Sequence, residues 1–262
     1  MLTRTDGIVL KQHKILNNRR MIVIFTRDIG RISAGTGMNE KGKGKSALSI
    51  RPFTYASYDL FSSRGAYNIN GSTVKNSYYS IGENIDRFIF ASEMMEYLNG
   101  ILEDEQPKHA LFDLTLSFLE AISHAESGFE SMFFAYIVKT LRMMGFMPEL
   151  SVCVDCGKSR VDMRKEDGHP PAFSVGDGGI ICDSCMTATE SGTAHKENGE
   201  KLIFTPNFDI VDVLKYFLDQ PFEVFEKLVL KQKYSEEIRE ILRKYVQYYP
   251  GIELSYDKLG LD

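Results

Sequence analysis

Cys153-Val154-Asp155-Cys156-Gly157 and Cys182-Asp183-Ser184-Cys185 place two C-x-x-C pairs in one chain, with 25 residues between Cys156 and Cys182. These four residues, Cys153, Cys156, Cys182 and Cys185, are the chain's only cysteines. Each pair can clamp a metal from one tight knuckle, and two knuckles supply the four thiolates that a tetrahedral zinc ion takes at ~2.3 Å. Gly157 follows the first pair, where a knuckle often needs positive φ. Gly178-Gly179 precedes the second pair and lets a hairpin turn into it. The polar stretch between the pairs has little core of its own, so a metal there acts as a folding element. Four thiolates leave no open coordination position, which predicts a structural Zn2+ rather than a catalytic one. Disulfides and a thioredoxin-type redox pair are the weaker alternatives. His169 and His195 are not needed as ligands and read as surface histidines.

Charge divides the chain unevenly. Residues 1–80 hold 13 Lys and Arg against 4 Asp and Glu, a net of +9, and the remainder holds 18 against 32, a net of -14. A basic third on an acidic body predicts a polyanion-binding module. No apolar run reaches the length of a membrane helix, and the N-terminal residues do not read as a signal peptide. The expected compartment is the cytoplasm.

Residues 1–80 read as strands at 7–14, 21–26, 31–36, 52–62 and 67–74, with turn signals at Asp28-Ile29-Gly30 and a tight turn at Asn70-Gly71. In the fourth strand Phe53, Tyr55, Ser57, Asp59 and Phe61 face one way and Thr54, Ala56, Tyr58 and Leu60 the other. Five strands in so short a span suit a small closed barrel, which hides its edges. From residue 80 the period becomes helical. Ile85, Phe88, Ile89, Met95 and Leu98 mark one helix. Leu111, Leu114, Phe118, Leu119 and Ile122 mark a second after Pro107. A third runs over 129–144 and is stopped by Gly145 and Pro148; further helices are predicted over 208–218, 222–230 and 235–249. The predicted class is α+β. An OB-fold nucleic-acid-binding barrel spans 1–80, a helical bundle spans 81–150 and 200–250, a zinc insert spans 151–199, and a C-terminal tail spans 251–262.

The loop Gly35-Thr36-Gly37-Met38-Asn39-Glu40-Lys41-Gly42-Lys43-Gly44-Lys45-Ser46 is too rich in Gly and Lys to pack a core. It fails as a P-loop, because the motif needs glycine where Asn39 stands. It reads instead as a mobile basic loop that follows a sugar–phosphate chain. Candidate DNA contacts are Arg4, Lys11, Lys14, Arg19, Arg20, Arg27, Arg31, Lys41, Lys43, Lys45, Arg51 and Arg64. Phe25, Phe53, Tyr55, Tyr58 and Phe61 are interleaved with them, as stacking platforms or as barrel core. No catalytic constellation stands out: there is no H-E-x-x-H, no G-x-S-x-G and no EF-hand loop. Neither cysteine pair directly follows a proline, as a zinc deaminase requires. The expectation is a protein that is not an enzyme, either a DNA-binding protein or an adaptor working through protein contacts.

The run Leu141-Arg142-Met143-Met144-Gly145-Phe146-Met147-Pro148-Glu149-Leu150 leads into Cys153-x-x-Cys156-Gly157, and Phe173-Ser174 and Gly178-Gly179 precede Cys182-x-x-Cys185. With Gly7-Ile8-Val9-Leu10, Asp28-x-Gly30 and Arg51-Pro52-Phe53, this pattern resembles the RecO family of bacterial DNA repair and recombination proteins. The resemblance implies an OB-fold, a helical domain and an inserted zinc module. It implies binding to single- and double-stranded DNA, annealing of complementary strands, and help in loading RecA. The implied partners are RecR and the acidic C-terminal tail of the single-stranded DNA-binding protein. Lys139 and Arg142, one turn apart near apolar residues, are candidates for holding that tail.

Overall fold

A computed structural model describes residues 1–15, 19–37, 45–63, 65–191 and 202–254. They form two compact units, Met1–Phe129 and Glu130–Leu254. Among the described residues, no helix is long and apolar enough to cross a membrane.

The first unit begins with a closed barrel built from β1 (Leu2–Lys14), β2 (Arg20–Thr26), β3 (Gly30–Thr36), β4 (Tyr55–Ser63) and β5 (Ala66–Asn76), in the order β1-β2-β3-β5-β4. A helical turn, α1 (Lys45–Leu48), lies between β3 and β4 in sequence. Strand β1 pairs antiparallel with both β2 and β4. The remaining seam is a short parallel pairing of β3 with β5, Ala34 opposite Tyr67 and Gly35 opposite Asn68. Alternation along the strands sends Val9, Ile22, Ile24, Ile32, Ala34, Ala56, Tyr58 and Leu60 to the interior, where branched side chains fill a barrel of this size. The Tyr58 hydroxyl donates to the Ser49 carbonyl at 2.5 Å, so the core keeps no unpaired phenol there. The barrel and its strand faces match the sequence expectation. The Asn70-Gly71 step does not form a turn. Asp59 pairs with Gly71 and Leu60 with Ile69, leaving Asn70 as the extra residue of a bulge inside β5. Bulges of this kind add the bend that closure requires.

Beyond a 3-10 turn (Tyr79–Glu83), α2 (Ile85–Ile101) and α3 (His109–His124) complete the unit. Asn84 caps α2 by accepting from the Arg87 N–H at 2.9 Å. The buried face of α2 begins at Ala91 and runs through Met94, Met95, Leu98 and Ile101, whereas Ile85 and Phe88 are exposed. Helical periodicity alone assigns those two to the core; the first turn of α2 lies beyond the surface that the rest of the helix covers. On α3, Leu111, Phe112, Phe118, Leu119 and Ile122 are buried.

In the second unit, α4 (Phe129–Met144) ends just before Gly145, as expected, with the Phe146 N–H returning to the Leu141 carbonyl at 2.8 Å. The cysteine segment follows: α5 (Arg160–Asp167), β6 (Ala172–Ser174), β7 (Gly179–Ile181), α6 (Asp183–Ser191) and β8 (Ile203–Phe204). Its three strands are ordered β7-β6-β8. Then come α7 (Ile210–Asp219), a 3-10 turn (Phe222–Lys227) and α8 (Gln232–Tyr248). The helix expected over 222–230 is thus only a tight turn. The Leu228 N–H bonds the Phe225 carbonyl, and the Leu228 carbonyl is taken by the Ser131 hydroxyl at 2.7 Å.

Gly30 fixes how the barrel meets the chain after α2. Its φ is +90°, and a Cβ there would collide with the Gln106 backbone. Beside it the Glu105 N–H donates to the Arg31 carbonyl at 3.0 Å. Gly30→Ala combines left-handed strain with a backbone clash. We expect it to cost roughly 3 kcal/mol or more, read as a lowered midpoint in urea unfolding; an unchanged midpoint would mean this close approach is not part of the folded state.

Candidate metal centre and nucleic-acid interface

The cysteine pairs converge because two local structures face one another. In the first, the Cys153 N–H donates to the Lys158 carbonyl at 2.8 Å and the Gly157 N–H to the Cys153 carbonyl at 2.9 Å. Gly157 takes φ 74°, as such a knuckle requires. The Val154 N–H then bonds the Ile180 carbonyl of β7, which ties this knuckle to the strand leading into the second pair. In the second, Cys182 stands just before α6 and Cys185 lies in its first turn, where helix N–H groups favour a thiolate.

The four Sγ atoms all lie within 4.8 Å of one another. Cys156 and Cys182 are separated by 3.8 Å, the edge of a tetrahedron whose centre lies ~2.3 Å from each sulfur and far longer than a disulfide. Cys153, Cys182 and Cys185 are buried and Cys156 is exposed. Burial opposes ionisation of Cys153, but backbone N–H groups of Cys156, Cys182 and Asp155 outweigh it and bring this thiol down to about 7. The Asp155 carboxylate, and then burial, push Cys185 up. Burial also raises Cys182. Thiols this close resist ionising together, and a cation among them reverses that balance. This donor set fits a bound metal ion. His169 is occupied elsewhere: one ring nitrogen meets the Asp183 carboxylate at 2.8 Å and the other the Pro170 carbonyl at 2.9 Å. His195 lies outside the described residues.

Ion pairs that sequence reading misses brace the module. Arg160 at the start of α5 reaches Asp209 at 2.7 Å and Asp212 at 2.6 Å, and Arg164 reaches Asp209 at 3.2 Å. Asp209 also caps α7 by accepting from the Val211 and Asp212 N–H groups. An Asp at the start of the helix expected over 208–218 is the available signal.

The basic residues of the barrel separate into two groups. Lys11 pairs with Glu96 at 3.0 Å, Arg31 with Asp104 at 2.7 Å, and Arg27 with Asp113. Arg27 also lies over the Phe112 ring, 4.9 Å from its centroid. Arg4 approaches Asp59 at 3.7 Å and Ser57 at 3.2 Å. These four cations meet acids on the same unit. In the other group, Lys14, Arg19 and Arg20 gather where β1 ends and β2 begins. Lys14 is exposed and stands opposite Arg20 in the β1–β2 register. Arg20 donates to Gln12 at 3.1 Å and Arg19 to Asn68 at 3.4 Å. Arg51 is half-buried, and Lys45 opens α1. Lys41, Lys43 and Arg64 lie outside the described residues, as does most of the Gly/Lys loop.

The aromatics divide as well. Tyr58 is core; Phe25 packs on Phe112 at 5.3 Å between centroids, Tyr55 on Phe112 at 6.1 Å and Phe53 on Phe88 at 5.9 Å. Of the five, Phe61 alone keeps substantial exposure, at 43%. In the second unit, the Lys139 ammonium donates to the Leu218 carbonyl at 2.6 Å near the C-terminus of α7. Burial lowers its pKa against the opposing pull of Asp219, and Arg142 adds to the lowering. Arg142 itself is exposed, beside exposed Met143.

Residues 1–78 match the family described as Recombination protein O N terminal, and residues 82–256 match Recombination protein O C terminal. The chain belongs to the RecO family. Among curated relatives named DNA repair protein RecO, that of Alkaliphilus metalliredigens is 26% identical over 249 residues, covering 95% of this chain and 94% of the relative. Those of Caldanaerobacter subterraneus and Bacillus pumilus are each 26% identical, covering 93% and 98% of this chain and 91% and 93% of the relatives. The RecO match thus spans both the barrel and the unit that carries the four cysteines.

Cys182→Ser removes one donor from the buried side of the cluster. We expect it to abolish stoichiometric metal binding and to lower Tm by roughly 10 °C, measured by elemental analysis and calorimetry. Full metal content at an unchanged Tm would remove these thiols as ligands.

Proposed function

We propose that this RecO-family protein is a DNA repair and recombination mediator that acts without catalysis of its own. The barrel, within residues 1–80, binds single- and double-stranded DNA through its backbone and anneals complementary strands. With RecR it helps load RecA on DNA coated by the single-stranded DNA-binding protein, working at the nucleoid in the cytoplasm. The observation that carries this reading is the family match over the whole barrel, joined to the cluster of Lys14, Arg19 and Arg20 at the β1–β2 end. In OB-folds that loop and the neighbouring strand face contact oligonucleotides. Annealing then follows from charge: cations screen two polyanions while the bases stay accessible.

The four thiolates hold Zn2+ in this proposal, because a closed all-sulfur tetrahedron is a structural zinc site. The ion folds residues 151–199 and leaves DNA binding to the barrel. Chelation is then expected to lower stability at metal concentrations where DNA affinity is still intact. The acidic tail of the single-stranded DNA-binding protein docks near the end of α4, where exposed Arg142 and Met143 offer a cation beside an apolar side chain. Lys139 supports the site's shape more than its charge, since its ammonium is held by the Leu218 carbonyl.

The test is a salt titration of single-stranded DNA binding together with a strand-annealing assay. Lys14→Glu/Arg19→Glu/Arg20→Glu is expected to weaken binding at least tenfold at moderate salt and to flatten the dependence of log K on log salt by about 0.7 for each phosphate that is no longer neutralised. Annealing falls in parallel, with and without the single-stranded DNA-binding protein. Wild-type affinity that does not respond to salt would rule out backbone binding by the barrel.

A further inference from the structure

A cavity of the first unit lies where the chain entering β4 meets the chain entering α2. It is open to solvent on one side, has a volume of about 300 Å³ and is lined by Leu48, Arg51, Phe53, Tyr78, Tyr79 and Phe88 among others. Two features set it apart from a packing defect. Of its four aromatic side chains Phe53 and Tyr78 are buried, but Tyr79 at 67% and Phe88 at 48% stay open to solvent, although both could stabilise the fold by burial. The Arg51 Nε is buried without a hydrogen-bond partner among the described residues, and a buried guanidinium nitrogen left so is costly unless something arrives to meet it.

The backbone around the cavity is also held in an unfavourable form. Phe53 has φ 71° and Tyr78 has φ 46°, left-handed values that aromatic residues seldom adopt. Such outliers persist only where the surroundings impose them, and they gather at ligand sites. Here the imposing hydrogen bonds belong to the barrel: the Phe53 N–H donates to the Val9 carbonyl and the Val9 N–H to the Thr54 carbonyl, both at 3.0 Å. The cavity is therefore held rigidly against β1. Its chemistry is a set of aromatic rings with one guanidinium beside them.

We propose that this cavity captures one unstacked nucleobase of single-stranded DNA, the base lying against Tyr79 and Phe88 and the adjoining phosphate meeting Arg51. The inference deepens the DNA-binding reading and rests on it. Every nucleotide carries an anionic phosphate next to a flat aromatic ring, so one slot with one guanidinium fits any step of a strand regardless of sequence. An acidic peptide with an aromatic side chain is the competing occupant. The strand is favoured because the slot is built onto the basic barrel, and because stacking on exposed rings with an arginine at hand is how single strands are held without base readout.

The experiment measures the full-length protein against a thymidine oligonucleotide and an abasic deoxyribose-phosphate oligomer of equal length. Wild type should prefer the thymidine strand by about tenfold. Tyr79→Ala/Phe88→Ala should erase that preference while leaving abasic binding and its salt slope unchanged, and Tyr79→Trp should keep it. Arg51→Gln should weaken both strands. Both aromatic side chains are exposed, so a calorimetric check is expected to find the variants folded. If wild type binds neither strand, the DNA-binding reading fails and this inference with it. If wild type binds both strands but the double variant retains the thymidine preference, this inference alone is overturned. A phenylalanine-ended acidic peptide that binds wild type, but not the double variant, while DNA affinity stays unchanged would assign the slot to a peptide and overturn it as well.

Discussion

The barrel depends on one short seam. Four of its five strand junctions are antiparallel ladders, but closure comes from two parallel pairs, Ala34 with Tyr67 and Gly35 with Asn68. Without them β3 and β5 would each present an open edge. The bulge at Asn70 and a second irregularity between Tyr55 and Ala56 bend β5 so that it can reach β3. A strand rich in Asn, Ser and Thr serves here because its two neighbours, more than its side chains, hold it in place.

Closure creates an electrostatic problem that the helices of the same unit solve. Residues 81–129 hold ten acidic and two basic residues. Glu96 of α2, Asp104 after it and Asp113 of α3 each meet a barrel cation. Pairs this exposed add little stability. Their larger effect is on the field: they offset the positive charge of Lys11, Arg27 and Arg31. The total charge of the N-terminal third therefore overstates the positive field that it presents.

How much of this is legible in the sequence follows the range of the interaction involved. The four cysteines are readable because C-x-x-C is a local geometry, and α4 is readable because Gly145 and Pro148 mark its end. Barrel strands announce themselves by alternation. What the sequence alone leaves open depends on distant partners. Lys11 and Glu96 are 85 positions apart, so nothing near Lys11 signals that its charge is spent. Phe25 reads as stacking platform or core until Phe112 is seen to cover it. Helical periodicity likewise assigns Ile85 and Phe88 to a core face, because it cannot tell where along a helix its neighbours stop. The brief helix α5 is hidden by its polarity: it has one buried residue, Met163, and is held mainly by polar contacts, the Ser159 cap and two arginines facing Asp209 among them.

The small sheet beside the cysteines has a consequence for how this module can change. Strand β6 is central, paired with β7 on one side and β8 on the other. Strand β7 is tied to the first cysteine knuckle by the Val154 N–H on the Ile180 carbonyl, and β8 is held by its own ladder to β6. A substitution at Ile203 or Phe204 therefore reaches the thiols through the ladders of β6 and β7, not along the chain.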